Sequence, residues 1–139
     1  VVTARWNVKI TYPVDLARAE AWLAAVRPGP RIGQGLDAHP LVAGRRCVLG
    51  GVEIPSDCGP DGHSDGDVVL HALADALLGT AAAGDLGSVF GTTAPEWKDA
   101  PSSRFVTEAL ARAGNPVVLN VDVTLVAERP RVVWPPRSR

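Results

Sequence analysis

Residues 59–87, GPDGHSDGDVVLHALADALLGTAAAGDLG, constrain the fold more than any other stretch. An alanine- and leucine-rich run closed on both sides by Gly/Asp turns reads as a helix with defined ends. Ser64 followed three residues later by Asp67 is an acidic form of the capping box, and acids there suit the positive helix end. From Val68 the apolar positions Val68, Ala72, Leu73, Ala76 and Leu77 recur at helical spacing, with His71 among them. Gly79 or Gly84 supplies a stop. His71 and Asp75, four residues apart, share one helix face.

Around this helix, 139 residues are enough for one domain with a core. A net charge of −1 offers no footprint for nucleic acid or other polyanions. No apolar run approaches the ~18 residues that span a membrane. The N-terminus lacks the basic-then-apolar pattern of a signal peptide. The expectation is therefore a cytoplasmic protein without nucleic-acid or membrane partners. Cys47 and Cys58 lack metal-finger spacing and read as reduced thiols. The chain contains no methionine, so Val1 does not read as a natural start and the chain reads as a piece of something longer.

In chain order, Trp6 to Thr11 alternates like a short strand, and Thr11-Tyr12-Pro13-Val14-Asp15 opens a helix through Leu23. Arg27-Pro28-Gly29-Pro30 breaks it. One strand and one helix cannot enclose a core, so residues 1–30 read as a tail of another domain plus a linker. Arg31 to Leu36 enters as a strand, Val42 to Arg45 turns, and Cys47 to Ile54 returns with a Gly50-Gly51 interruption. Gly33-Gln34-Gly35 lacks the third glycine and the helix of a dinucleotide loop. A connector over 88–101 leads to an amphipathic helix over 102–113, ended by Gly114-Asn115-Pro116. Val117 to Ala127 reads as the best strand in the chain, with Val121, Val123, Leu125 and Ala127 on one face. The prolines and basic residues of VVWPPRSR, 132–139, read as an irregular tail.

Three histidines are available. In an extended Asp37-Ala38-His39, residues i and i+2 point the same way, so a carboxylate and an imidazole face one point. His71 from the helix supplies a third ligand if the helix packs there. Three N/O ligands with a fourth position open are the pattern of catalytic zinc, and the same donors admit manganese, cobalt or iron. From spacing alone, a chance Asp-x-His and a helix histidine satisfied by Asp75 account for the same residues. A calcium loop from Asp61 is excluded because Ala72 stands where the bidentate glutamate belongs. Gly62-His63-Ser64 precedes a helix N-terminus, an anion-binding arrangement to which an imidazole and a hydroxyl add donors. A plain helix cap and a solvated loop histidine explain the pair equally. Asp85-Leu86-Gly87 reads either as a binder of sugar hydroxyls or as a helix-end turn. Asp65 and Asp67 read as first-turn acids.

Five segments then carry a family: GLDAH (35–39), GGVEIP (50–55), GHSDGDVVLHALADALLGTAAAGDLG (62–87), APEWKDA (94–100) and NVDVTLVAERP (120–130). Together they resemble 2-C-methyl-D-erythritol 2,4-cyclodiphosphate synthases over residues 31–131. NVKITYPVDLARAEAWL (7–23) resembles the C-terminal end of methylerythritol-phosphate cytidylyltransferases, and the two enzymes occur fused in some bacteria. The resemblance implies an enzyme of non-mevalonate isoprenoid precursor synthesis. It cyclises 4-diphosphocytidyl-2-C-methyl-D-erythritol 2-phosphate to the 2,4-cyclodiphosphate and releases CMP.

It also implies site residues. Asp37, His39 and His71 would hold zinc or another divalent transition metal, with Asp37 and His39 also facing substrate. His63, as the catalytic group, and Ser64 would face the 2-phosphate. Asp85 and Gly87 would hold the methylerythritol. Phe90 and Thr93 would lie in a substrate loop, where the family's aspartates are Thr92 and Ala94. Ala127 and Arg131 would line the cytosine pocket. Mg2+ or Mn2+ would accompany the diphosphate.

The fold expected is α/β, a mixed β-sheet with helices packed on one face, in a family that forms homotrimers. The expected division is a cytidylyltransferase-like tail at 1–30, a truncated synthase-like domain at 31–131 and an unmatched tail at 132–139. The family continues with a helix and a strand bearing Thr-Thr-Glu-Lys, which would leave this chain impaired in assembly and turnover. A zinc-binding fragment without turnover and a CMP/CDP-binding module without metal are the rival expectations.

Overall fold

The computed structural model describes residues 9–25, 29–91 and 95–131. The chain divides into two compact units, Val1–Arg31 and Ile32–Arg139. In the first unit, helix α1 spans Pro13–Ala25. Proline suits the first helical position because its missing N–H has no helical partner there. Asp15 turns its carboxylate back to accept from the Thr11 and Tyr12 amides at 3.2 and 3.0 Å. Tyr12, Val14, Leu16, Trp22 and Leu23 are exposed. Of the strand expected over 6–11, residues 6–8 lie outside the described residues and 9–11 are not in a strand.

The second unit is α/β, and its paired strands among the described residues are short and antiparallel. Strand β1 (Leu41–Ala43) pairs with β4 (Cys58–Pro60). Strand β2 (Cys47–Leu49) pairs with β3 (Val52–Ile54). The β2–β3 turn is Gly50-Gly51, with φ of 62° and 79°. Two consecutive positive φ values define the tight hairpin turn whose twist matches its strands, and glycine meets that requirement without strain. The Gly-Gly pair is thus a hairpin turn rather than an interruption of one strand. Cys47 and Cys58 are free and buried, and burial raises the Cys47 thiol above its ordinary value.

Helix α2 spans Val68–Thr80, α3 Leu86–Phe90 and α4 Ser103–Arg112, with a 3-10 turn at Pro95–Trp97. The cap of α2 is Asp67, not Ser64: its side chain accepts from the Val69 and Leu70 amides, each at 3.1 Å. The helix runs through Gly79. It ends where Ala82 turns left-handed, and the Ala83 amide closes on Leu78.

Helices α2 and α4 pack together through Ala74, Leu77, Leu78, Phe105 and Ala109, joined by Phe90. Trp97 stacks on Phe105 at 4.7 Å, and Phe90 meets both rings edge-on. The residues expected as a substrate loop thus divide. The Phe90 side chain is core, and Thr93 lies outside the described residues.

Residues 31–40 and 116–127 are not hydrogen-bonded strands, contrary to the expectation of strands over Arg31 to Leu36 and Val117 to Ala127. A strand exists only in a ladder, and neither segment has a ladder partner among the described residues. The first keeps the period of an extended chain all the same. Gly33, Gly35, Asp37 and His39 are sheltered, while Ile32, Gln34, Leu36 and Ala38 are exposed. A Cβ on Gly33 or Gly35 would overlap the carbonyl oxygens of Ala76 and Ala72, so this backbone lies directly on α2.

Candidate metal centre

That contact sets the register of the site. With Gly33 and Gly35 on the carbonyls of Ala76 and Ala72, the next residues on the same face are Asp37 and His39. They arrive at the turn of α2 that presents His71. The expectation that Asp37 and His39 share a face holds, and their side chains meet, with His39 Nε2 2.9 Å from Asp37 Oδ2. His71 Nδ1 completes a triangle, 3.0 Å from Asp37 Oδ2 and 3.4 Å from His39 Nε2. Ligand atoms about 2.0–2.2 Å from a tetrahedral zinc stand roughly 3.3–3.6 Å apart, so the three need only small shifts to hold one ion. Two imidazoles and a carboxylate are also the donor set that such an ion takes.

Burial raises the Asp37 carboxyl. The hydrogen bond with His71, the charges of His39 and His71, and the Ala38 N–H at 2.9 Å outweigh it and leave the group below its ordinary value. A carboxylate kept ionised is ready to bind a cation.

His71 is fixed on every side. Its ring meets Phe105 edge-on at 5.5 Å. Its Nε2 lies 2.9 Å from Ser64 Oγ and 2.9 Å from Ser102 Oγ. Asp75, the partner that helical spacing offered, instead accepts the Leu86 amide at 2.6 Å and ties α3 to α2.

The loop before α2 crosses the site at Gly62, whose Cβ position is 3.2 Å from the His39 ring. Arg45 holds that loop through Asp61 at 2.8 Å and the Gly62 carbonyl at 2.9 Å. The His63 side chain is exposed, and its carbonyl accepts the Asp99 amide at 2.8 Å. Ser64 is buried, and its hydroxyl points inward to His71 and Ser102. Asp85 caps α3 in a reciprocal capping box with Ser88. Its carboxyl is held below the ordinary value by the Ser88 amide and hydroxyl. Gly87 lies in the first turn of α3 and is exposed, as are Ala127 and Arg131.

Three residues that matter here carry no local signal. Ser102 reads as an ordinary helix start, Asp65 as a first-turn acid and Arg45 as a turn residue. Their contacts span many positions of sequence, which spacing rules do not reach.

Fold and site define an α/β domain with a three-residue Asp/His cluster, able to hold a metal, between an extended segment and a helix. The YgbB family model matches residues 30–135, and the chain belongs to that family. The chain is 45% identical over 128 residues to the bifunctional enzyme IspD/IspF of Granulibacter bethesdensis, covering 91% of this chain and 34% of that protein. It is 55% identical over 104 residues to the 2-C-methyl-D-erythritol 2,4-cyclodiphosphate synthase of Chromobacterium violaceum, covering 73% of this chain and 66% of that one. The chain thus spans about a third of the bifunctional relatives it matches.

A solved 2C-methyl-D-erythritol-2,4-cyclodiphosphate synthase superposes with a TM-score of 0.57 at 47% identity, covering 61% of this chain and 57% of that chain. A CDP-bound form of that enzyme has the same TM-score and coverage at 45% identity. The bifunctional IspDF of Campylobacter jejuni superposes at 0.56 with 37% identity, covering 60% of this chain and 23% of that chain. No helix among the described residues is long and apolar enough to cross a membrane.

Proposed function

We propose that this chain is the cyclodiphosphate synthase part of a bifunctional enzyme. Its substrate is 4-diphosphocytidyl-2-C-methyl-D-erythritol 2-phosphate. An oxygen of the 2-phosphate attacks the β-phosphorus, the bond from that phosphorus to the oxygen bridging to the α-phosphate breaks, and CMP leaves with the electron pair. The product is the 2,4-cyclodiphosphate. The observation that carries this reading is the Asp37–His39–His71 triangle inside a domain of the YgbB family.

An intramolecular displacement needs no protein nucleophile, so catalysis is positioning and charge stabilisation. A zinc ion, or another divalent transition metal, supplies positive charge beside the phosphate oxygens when bound by Asp37, His39 and His71. His63, exposed on the loop that crosses the site, donates to the 2-phosphate, with Ser64 beside it. Asp85 and Gly87 take methylerythritol hydroxyls through a carboxylate and a backbone amide. The substrate loop is that of Phe90 and Thr93, and the cytosine pocket that of Ala127 and Arg131. Mg2+ or Mn2+ arriving with the diphosphate would supply the charge that offsets its oxygens. A homotrimer in the cytoplasm, and a first unit that closes a cytidylyltransferase domain, complete the proposal.

The test is 31P NMR of purified protein with this substrate, zinc and magnesium. CMP and cyclic diphosphate should appear together, and prior chelation should stop both. Zinc uptake without either product would overturn turnover and leave a second reading, a zinc-binding fragment. The extended segments at 32–39 and 116–127, which have no strand ladder among the described residues, favour that second reading.

A further inference from the structure

Ser102 stands at the N-cap of α4, where a serine hydroxyl ordinarily accepts a first-turn amide, yet it makes no such bond. It is fully buried, and both its polar groups are committed elsewhere. Its amide donates to Asp65 Oδ2 at 3.0 Å, and its hydroxyl bonds Asp65 Oδ1. The hydroxyl also lies 2.9 Å from His71 Nε2 and 3.3 Å from Ser64 Oγ.

Counting protons gives these bonds a direction. A carboxylate only accepts, so the one Ser102 hydroxyl proton goes to Asp65. Ser102 Oγ can then only accept from its other neighbours. Ser64 Oγ already accepts the Gly66 amide at 3.3 Å and has its own proton to give to Ser102. His71 Nε2 is left as a donor, so it carries the proton. With no metal between them, Nδ1 donates to the Asp37 carboxylate, which only accepts; Nδ1, the nitrogen turned toward Asp37 and His39, is the one a metal would take while Nε2 keeps its proton.

We propose that Asp65 and Ser102 are positioning residues that hold His71 as its Nε2–H tautomer, with Nδ1 presented to a divalent metal. This rests on reading Asp37, His39 and His71 as a metal site. Neither residue touches the metal or the substrate. They act through His71 by fixing ring orientation and tautomer and by raising the basicity of Nδ1. Outer-shell partners of this kind are worth about 10–100-fold in metal affinity.

The probe is zinc alone, measured on purified protein by competition with a chromophoric chelator. Ser102→Ala should weaken zinc binding about tenfold or more, and Asp65→Asn should do likewise because an amide can reverse the bond direction. Ser102→Thr, which keeps the hydroxyl, should bind within about threefold of wild type. The second readout needs no variant: long-range 1H–15N correlation of histidine-labelled, zinc-loaded wild type should show His71 protonated at Nε2 and metal-bound at Nδ1. A Ser102→Ala affinity within about twofold of wild type, or a zinc-loaded His71 with a bare Nε2, would overturn the proposal. Failure of wild type to take up zinc would overturn it together with the metal reading, whereas uptake with an unaffected Ser102→Ala overturns the positioning role alone.

Discussion

Asp67 concentrates more structure in one side chain than any other residue of the domain. It is fully buried and accepts four amides: Val69 and Leu70 at the start of α2, and Gly50 and Gly51 at the β2–β3 turn, at 2.8 and 2.5 Å. One carboxylate therefore joins a helix N-terminus to a hairpin, and the helix carries His71. Replacing it with alanine takes the acceptor from four amides, those of half-buried Val69 and Leu70 and those of exposed Gly50 and Gly51, which water can reach. A lost cap alone costs about 1 kcal/mol, and each further stranded donor about 1–3 kcal/mol, partly recovered by water. Asp67→Ala is expected to destabilise the domain by about 2–4 kcal/mol in urea unfolding, with Asp67→Asn less severe because one oxygen still accepts.

Asp85 caps α3 at the surface, and its effect is different in kind. Its folded pKa is lowered, so its stabilising contribution is complete above the ordinary aspartate value of 3.8 and is lost as pH falls through the folded value. The melting temperature of Asp85→Ala should lie below that of wild type at pH 7. The gap should narrow only below about pH 4, and a gap constant down to pH 2 would contradict the cap.

Helix α2 and the extended segment before β1 form the centre as a pair, through glycine. Gly33 and Gly35 place bare backbone on the Ala76 and Ala72 carbonyls, and no larger residue permits that approach. Gly35→Ala should therefore push the segment off the helix and carry Asp37 and His39 away from His71. The expected result is a loss of about 1–3 kcal/mol from overpacking, with zinc affinity falling more steeply than stability. An unchanged zinc affinity would show that the segment does not set the ligand register.

Much of this pairing was legible in the sequence. The helix over 68–80 announced itself by composition and period, and Asp37 and His39 by the two-residue repeat of an extended chain. Less of the detail was legible. The hydroxyl–acid spacing pointed to Ser64 as the cap, but Ser64 is drawn inward by His71 while Asp67 reaches both helix and hairpin. Asp75 looked like the partner of His71, but a tertiary contact with Leu86 claims it. The alternation at 117–127 predicted a strand, and alternation reports only which sides of a chain differ, not whether another chain lies beside it.

For the second unit as a whole, what is left uncovered decides its behaviour in solution. Ile32, Leu36, Val117, Leu119 and Val126 are between 80% and 94% exposed, all on the two extended segments that have no ladder partner among the described residues. Backbone outside a ladder beside bare apolar side chains invites pairing with another chain. Burying five such side chains gains about 8–15 kcal/mol at roughly 1.5–3 kcal/mol each. Association costs about 4–15 kcal/mol in lost freedom and ordering, so the net runs from unfavourable to about 11 kcal/mol favourable, a span that contains the roughly 5–8 kcal/mol of a micromolar dissociation constant. The expected behaviour is reversible, concentration-dependent self-association rather than a permanent oligomer. Light scattering of eluted protein between about 1 and 100 µM should show mass rising with concentration, over the range where such a balance operates. Leu119→Lys with Val126→Lys should suppress that rise and leave zinc uptake unchanged, because neither residue touches the Asp37–His39–His71 cluster. A single monomer mass across the whole range would mean that these faces are covered in solution. A fixed mass of three chains would mean that the trimer forms without ladders on these segments.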